Sequence, residues 1–599
     1  MHKHQWRRIA LIVAAVLVVI ILVPLLFINT YLTPKLSKKL KAAVITASDG
    51  LYRIDFSKAE LHVLQGKAVL YDITLLPDTA VYHRMKKQGT APGELYELRV
   101  KQLLISDAHP FKLYFHKQLE IGEIILTNPG VQVSQYDRGD KKPAPKDSRT
   151  LYQKLSKSLR SIRVGAINLN DIQFSYKTFI GPKPETGMLR HMNLKVTDLL
   201  IDSATQHDRS RTLFCKEIET RLDHFHGTTA DGLYQFKFRS IRLSTRLSRL
   251  TMTGLTMLPL PSKAFFAKSK LDHFNLYLDS VSVNDINLQS LRMTPDLDIT
   301  KMTVSKGHFS IYPNPNVPPK KTDRIVTFPN SVLGHMKSIL SVDTLNLQHI
   351  DVSYTEYNKA SGEAGTITFN NTSARFLHIS NKKEKVARYP WSTVHLTTYV
   401  MGKGKFNLAV GFKLNDNREP FNYTGHLGPI DLKDGNSVLM PLGLARAQSG
   451  NVQSLDFSVA GTQKTTKGKV TFLYNDLKVE LLRHNEKGYS KRTLITLLAN
   501  LIVLKNNNPD NAQTAPRSAN VVFVRPASTP FFKSMWQTIL SGIKPCAGLG
   551  KADAPPAKPL TEKEQKKQDK ALKKAKKKAD KAEKQFKKQQ EEIRSKKAK

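Results

Sequence analysis

The sequence predicts a mainly β protein held at a membrane: an N-terminal transmembrane helix, a long antiparallel sheet built from tandem units, a few short helices and a charged tail. Three observations carry this. A 20-residue apolar run opens the chain, period-2 alternation of apolar and polar residues dominates from about residue 50 to 480, and blocks of that alternation recur about 180 residues apart.

The apolar run extends from Ile9 through Leu17 and Ile20 to Ile28 without a charged or amide side chain. At about 1.5 Å per residue it spans roughly 30 Å, the thickness of a bilayer's hydrocarbon core. It exceeds the apolar region of a cleaved signal peptide, and "FINTYLTPK" offers no small-residue cleavage site. Ile9, Leu17, Ile20 and Ile28 are therefore expected to anchor the protein. Lys3, Arg7 and Arg8 precede the span and Lys35, Lys38, Lys39 and Lys41 follow it, so flanking charge discriminates little. The brevity of the N-terminal segment, 1–8, places it in the cytoplasm and the body outside.

Alternation is cleanest in "KFNLAVGFKL", where Phe406, Leu408, Val410, Phe412 and Leu414 share one face of a strand. Leu455, Phe457 and Val459 form another such set, as do Val470, Phe472 and Tyr474. Asn475-Asp476 reads as a turn leading to an adjacent strand with Leu477, Val479 and Leu481, and Asn170-Asp171 as the turn of a second hairpin. Short helices are expected at 151–160 and 332–340.

The repeat is the most informative pattern. "GLYRIDF" at Gly50–Phe56 returns as "GLYQFKF" at Gly232–Phe238, and Leu76-Pro77 returns as Leu258-Pro259 at the same offset. "INLNDIQFSY" ending at Tyr176 returns as "LNLQHIDVSY" ending at Tyr354. The expected organisation is an anchor at 9–28, repeat units at 29–210 and 211–390, a further β segment at 391–484, a helix–strand–helix cap at 485–550 and a Lys-rich tail at 551–599. In the cap, "KRTLITLLANLIVL" reads as helical and "NVVFVR" as a strand. The final helix, "TPFFKSMWQTILSGIK", takes Thr529 as N-cap and carries Phe532, Met535, Trp536, Ile539 and Ile543 on one stripe. The tail, poor in hydrophobic residues, cannot build a core.

A net charge of +43 favours acidic partners. Combined with an anchor, it points to membrane phospholipid or acidic glycolipid. Nucleic acid is disfavoured, because Phe586 is the sole aromatic in the basic tail. Two cysteines, Cys215 and Cys546, exclude a disulfide framework. The sequence contains no nucleophile elbow, phosphate loop, H-E-x-x-H or dinucleotide fingerprint, and the pairs His2/His4 and His224/His226 lack a third ligand. A non-catalytic protein without cofactor is expected. Strands of this pattern, with too few helices to cover them, must close on one another, pair with a second sheet or bind something apolar.

The anchor running into "LKAAVITASDGLYRIDFSKAELHVLQGKAVLYDITLLPD", the repeated hairpin with its following Tyr, and "SGNVQSLDFSVAGTQKTTKGKVTFLYNDLKVELL" together resemble the AsmA-like proteins of Gram-negative envelopes, in their membrane-anchored Bacteroidetes-type form. The likeness covers about residues 1–545 and leaves out the Lys-rich tail. It implies a periplasmic body on the inner membrane and a long, curled sheet with an apolar groove, related to bridge-like lipid carriers. It also implies work in phospholipid transport or outer-membrane assembly, with an envelope protein as a further partner. On that reading Phe406, Leu408, Val410, Phe412 and Leu414 are candidate groove residues. The competing expectation is a structural or interaction protein with a closed β core.

Overall fold

The computed structural model describes the chain from Lys41 to Leu549 apart from short internal gaps, the longest at 137–151, 287–295, 313–322 and 492–503. The anchor residues Ile9, Leu17, Ile20 and Ile28, most of the expected helix before residue 504, and the Lys-rich tail lie outside the described residues. Among the described residues no helix is long and apolar enough to cross a membrane. The fold is mainly β: among the described residues about 23 strands join one large, mostly antiparallel sheet, with a few short helices. The chain divides into two compact units, one comprising residues up to Met257 together with Leu278–Met302, the other Leu258–Tyr277 and everything from Thr303 onward.

The first unit begins with β1 (Tyr52–Asp55), β2 (Lys58–His62) and β3 (Lys67–Pro77), β1 and β2 both pairing with β3. Helix α1 (Thr79–Gln88) follows, its N-terminus capped by Asp78, whose carboxylate accepts from the Ala80 and Val81 amides, and its end turned by Gly89 at φ 73°. Next come β4 (Glu94–Ser106), α2 (Pro110–His116), β5 (Gln118–Thr127), β6 (Gly130–Gln135), β7 (Ser161–Thr178) and β8 (Glu185–Ile201). The run continues through β9 (Cys215–Thr228), β10 (Tyr234–Ser244) and β11 (Arg249–Pro259).

The sheet is mixed, not purely antiparallel. β5 and β6 lie end to end, antiparallel to β4 on one side and parallel to β7 on the other. Alternation cannot reveal this, because a strand's period is the same whichever way its neighbour runs. The core is drawn almost wholly from strands: Leu70, Val100, Ile121, Ile124, Ile162, Val164, Ile167 and Val196 are all at most 4% exposed.

The two expected hairpin turns are corrected. Asn170-Asp171 lies inside β7 and Asn475-Asp476 inside β21 (Thr465–Asn485); each strand runs on through a bulge. Asp171 and Asp476 adopt φ of 57° and 51°. A left-handed Asn or Asp serves a tight turn and a bulge equally well, so the dipeptide alone does not choose between them. The feature recurs: His191, His224 and Gly254 in the first unit and Lys306, His349 and Asn371 in the second have φ between 52° and 61°. Asp171 and His349 are equivalent positions of the repeated block. The repeated "GLY" blocks also match locally, with Gly50 at φ 79°, Gly232 at φ 68°, and Leu51 and Leu233 each 6% exposed.

The second unit holds α3 (Ser262–Lys268), the start of β12 (His273–Ile286), most of β13 (Leu297–Tyr312), α4 (Pro329–Gly334), β14 (Leu340–Asn358) and β15 (Glu363–Ser380). After α5 (Lys383–Arg388) come β16 (Trp391–Val400), β17 (Gly404–Lys413), β18 (Phe421–Leu427) and β19 (Ile430–Asp431). Helix α6 (Asn436–Gly443) leads to β20 (Ala445–Gly461), then β21, β22 (Gly488–Lys491), β23 (Ser518–Val524) and α7 (Phe531–Cys546). The helix expected at 332–340 starts and stops earlier, because Leu340 already opens β14; among the described residues of 151–160, Tyr152 and Gln153 are helical.

Candidate functional site

The candidate groove residues sit on β17, whose register with its neighbours shows which side chains share a face. Leu408 pairs with Leu396 on β16 and Gly425 on β18; Gly425 pairs with Phe457, and Phe457 with Val470. Val410 heads a parallel row through Val394, Tyr423 and Val459. Phe406, Leu408, Val410 and Phe412 therefore do share one apolar face. Leu414 does not continue it: β17 ends at Lys413, and the Leu414 amide turns to the Pro390 carbonyl.

Exposure divides the stripe. Val410 and Phe412 are 8% and 7% exposed, whereas Phe406 and Leu408 are half-buried. Helix α7 is the reason. Phe531 from its first turn meets Phe412 and Phe421 at ring-centroid distances of 5.2 Å each and Phe328 at 5.1 Å. Arg525 stacks over Phe328 and donates to the carbonyls of Gln463, Ala527 and Thr529 and to the Asp323 carboxylate. Burial pushes the Tyr423 hydroxyl beneath this plug up to about 12.

Helix α7 differs from its expected form. Pro530, not Thr529, occupies the cap position, and no side chain caps the helix. Its buried face is Phe531, Ser534, Met535, Thr538, Gly542 and Cys546, while Phe532 and Trp536 are 50% and 38% exposed. Small residues win this face because the helix sits very close to the sheet. A Cβ on Gly542 would fall 2.5 Å from the Val470 Cβ, and Thr538 and Thr466 hydroxyls share a buried 2.9 Å hydrogen bond.

The opposite face of the same strands carries an open depression of about 1150 Å3 with a mixed lining, in which Arg375, His395, His426 and Lys469 stand beside Leu347, Ala374 and Ala409. His426 Nδ1 lies 2.6 Å from Asp456 Oδ1, and Thr397 donates to Asn407. The depression is exposed and hydrogen-bonded within itself. It places the basic side chains Arg375 and Lys469 behind Leu408, which alternation in β17 alone did not announce.

In the first unit a second apolar row stands half-open. Phe238 pairs with Phe225 and Phe236 with Gly227 across β9 and β10, so the three rings share a face. Their centroids are 5.7 to 6.2 Å apart, and all three are half-buried. Gly227 leaves room for the Phe236 ring, whose tip lies 2.7 Å from where a Cβ would stand. The same face on β7 and β8 is closed, with Ile162, Val164 and Leu199 at most 1% exposed. Phe236 and Phe238 were legible as the alternation in "GLYQFKF"; Phe225, between His224 and His226, was not.

Neither cysteine is reactive by environment. Burial raises the Cys215 thiol to about 12 and also raises Cys546. His224 and His226 are both exposed, and among the described residues no three His, Cys, Asp or Glu side chains are grouped to hold a metal ion. Comparison with protein-family models and with curated proteins finds no match for this chain.

Proposed function

We propose that this protein is a non-catalytic lipid carrier, anchored in the inner membrane by residues 9–28 with its body in the periplasm. On this reading it shields acyl chains along the apolar face of a curled sheet, in phospholipid transport or outer-membrane assembly. The observation that carries the reading is the contrast along one apolar face: closed at Ile162 and Leu199, half-open at Phe225, Phe236 and Phe238. A core made almost wholly from strands supports the curl, since a single sheet hides one face only by bending on itself or by gaining a cover. Half-open aromatic rows are where an acyl chain would complete the packing. The resemblance to AsmA-like proteins points the same way.

A second reading, a structural envelope protein with a closed core, is favoured by α7 lying over Val410 and Phe412. Mass spectrometry of lipid co-purifying with the full chain separates the two. Phospholipid bound to wild type and depleted at least several-fold in a folded Phe236→Asp variant supports the carrier. Wild-type protein free of lipid refutes it.

A further inference from the structure

Helix α2 is a single tight projection with its aromatic side outward. In "PFKLYFH" only Leu113 is buried, while Phe111, Tyr114 and Phe115 are 73%, 72% and 69% exposed. No other described residue of Phe, Tyr, Leu, Ile or Val class exceeds these three in exposure among the large exposed hydrophobics. The projection is firmly held. The His109 amide donates to the Glu120 carbonyl, Lys112 Nζ lies 2.6 Å from Glu120 Oε2, and Lys117 closes the helix in the left-handed region at φ 54°. Tyr114 and Phe115 pack edge to face at 5.0 Å. Exposed His116 and Lys117 follow the rings in sequence, and exposed Arg160 is tied to them by its amide, which donates to the Lys117 carbonyl.

We infer that α2 is an interfacial membrane contact, its three rings seated among lipid headgroups and upper acyl chains of an anionic bilayer. Three features argue for lipid as the occupant. Aromatic rings beside basic side chains are the composition that settles at a membrane interface, and the basic residues complement acidic headgroups. The surface is a convex knob, which penetrates a fluid layer without needing a shaped pocket. Finally, on the anchor reading the segment that precedes the body is long enough to let this end of the sheet reach the bilayer. Lys41, the first described residue, pairs with Asp55 and lies over Phe56. From there the chain runs towards Leu51, while at the other end of β3 the Gly66 carbonyl accepts from the Ala108 amide just before α2. Thr74, opposite Asp55, is seven residues from Lys67 at that turn, roughly 23 Å of strand. Residues 29–40 allow at most about 43 Å between the end of the expected span and Lys41.

This inference rests on the anchor reading, and one experiment tests each separately. The full-length chain carrying Phe111→Cys, labelled with an environment-sensitive fluorophore, is placed in vesicles of phosphatidylcholine and phosphatidylglycerol; native Cys215 and Cys546 are buried and provide little background. Doxyl-labelled lipid should quench the label at least twofold, and leave a label at Lys359→Cys unquenched. A parallel Phe115→Cys variant should behave like Phe111→Cys. A label at both positions that stays in water, or that is shielded only on adding other envelope proteins, overturns the inference. Alkaline extraction of the same vesicles reports the anchor: release of the chain refutes the span, whatever the quenching shows.

Discussion

Gly542 and Val470 stand so close that a methyl group on the helix would have to occupy the strand's side chain, the two β-carbons falling 2.5 Å apart. This contact decides whether α7 closes the apolar face of the second unit. Replacing Gly542 with Ala should therefore lift the helix, costing about 1–3 kcal/mol through overpacking despite Ala's higher helix propensity. Trp536→Ala, on the exposed side, should change stability by less than about 0.5 kcal/mol. Thermal unfolding of both variants checks this; an unchanged or raised Tm for Gly542→Ala would refute the close approach.

The stripe on β17 should respond by position. Val410→Asp buries an unpaired carboxylate under α7, typically a loss of several kcal/mol, so the unit should unfold or fail to express. Leu408→Asp, half-buried, should fold with a smaller loss. Unfolding curves for the pair settle the point, and equal collapse would mean that the face is closed along its whole length.

The bulges should tolerate glycine and reject β-branched residues. At Asp171 and His349, with φ of 57° and 56°, substitution by Val should cost about 1–3 kcal/mol more than substitution by Gly. His191 Nδ1 lies 2.9 Å from Asp171 Oδ1, and His349 Nδ1 lies 2.6 Å from Asn371 Oδ1, so the glycine variants also lose a side-chain contact. Denaturant titration of the four variants is the measurement. Val as good as Gly at both positions would rule out the left-handed geometry.

Glu419 should make the second unit less stable as pH rises. Desolvation raises its carboxyl above the ordinary 4.5, against weaker opposing hydrogen bonds and the charge of His335. The folded state thus holds the proton more tightly than the unfolded one. Its stabilising contribution is complete below about pH 4.5 and is lost as pH climbs through the folded pKa. Glu419→Gln, which cannot ionise, should raise Tm near pH 7 and leave it unchanged near pH 4. A Tm difference that stays constant across this range would show that Glu419 is not perturbed.

Much of the β architecture was legible because one-sided burial writes itself as alternation: Phe406 to Phe412 share a face as their spacing requires. What misled was local chemistry with two uses. Asn170-Asp171 and Asn475-Asp476 supply left-handed backbone, and only pairing partners distant in sequence make that a bulge instead of a turn. In α7 the larger residues Phe532 and Trp536 dominate any periodicity argument, yet the face against the sheet went to Ser534, Thr538 and Gly542. Close approach is selected by smallness, which hydropathy does not score. The depression behind Leu408 was hidden for a related reason: it is assembled from single residues of many strands.

The join at β7 has a consequence for how the chain comes to its final state. Along β7–β8–β9–β10 and β14–β15–β16–β17–β18, each strand pairs with the one just before it. Such stretches close only short loops and can grow in order as the polypeptide emerges. β5 and β6 instead meet β7 in parallel, across a connection from residue 136 to 160. That crossover must be closed before neighbouring contacts repay its entropy, which makes it the natural late step of the first unit. Pulse-labelling hydrogen exchange during refolding should protect the amides of β8 and β9 ahead of those of β5; simultaneous protection would remove any such order.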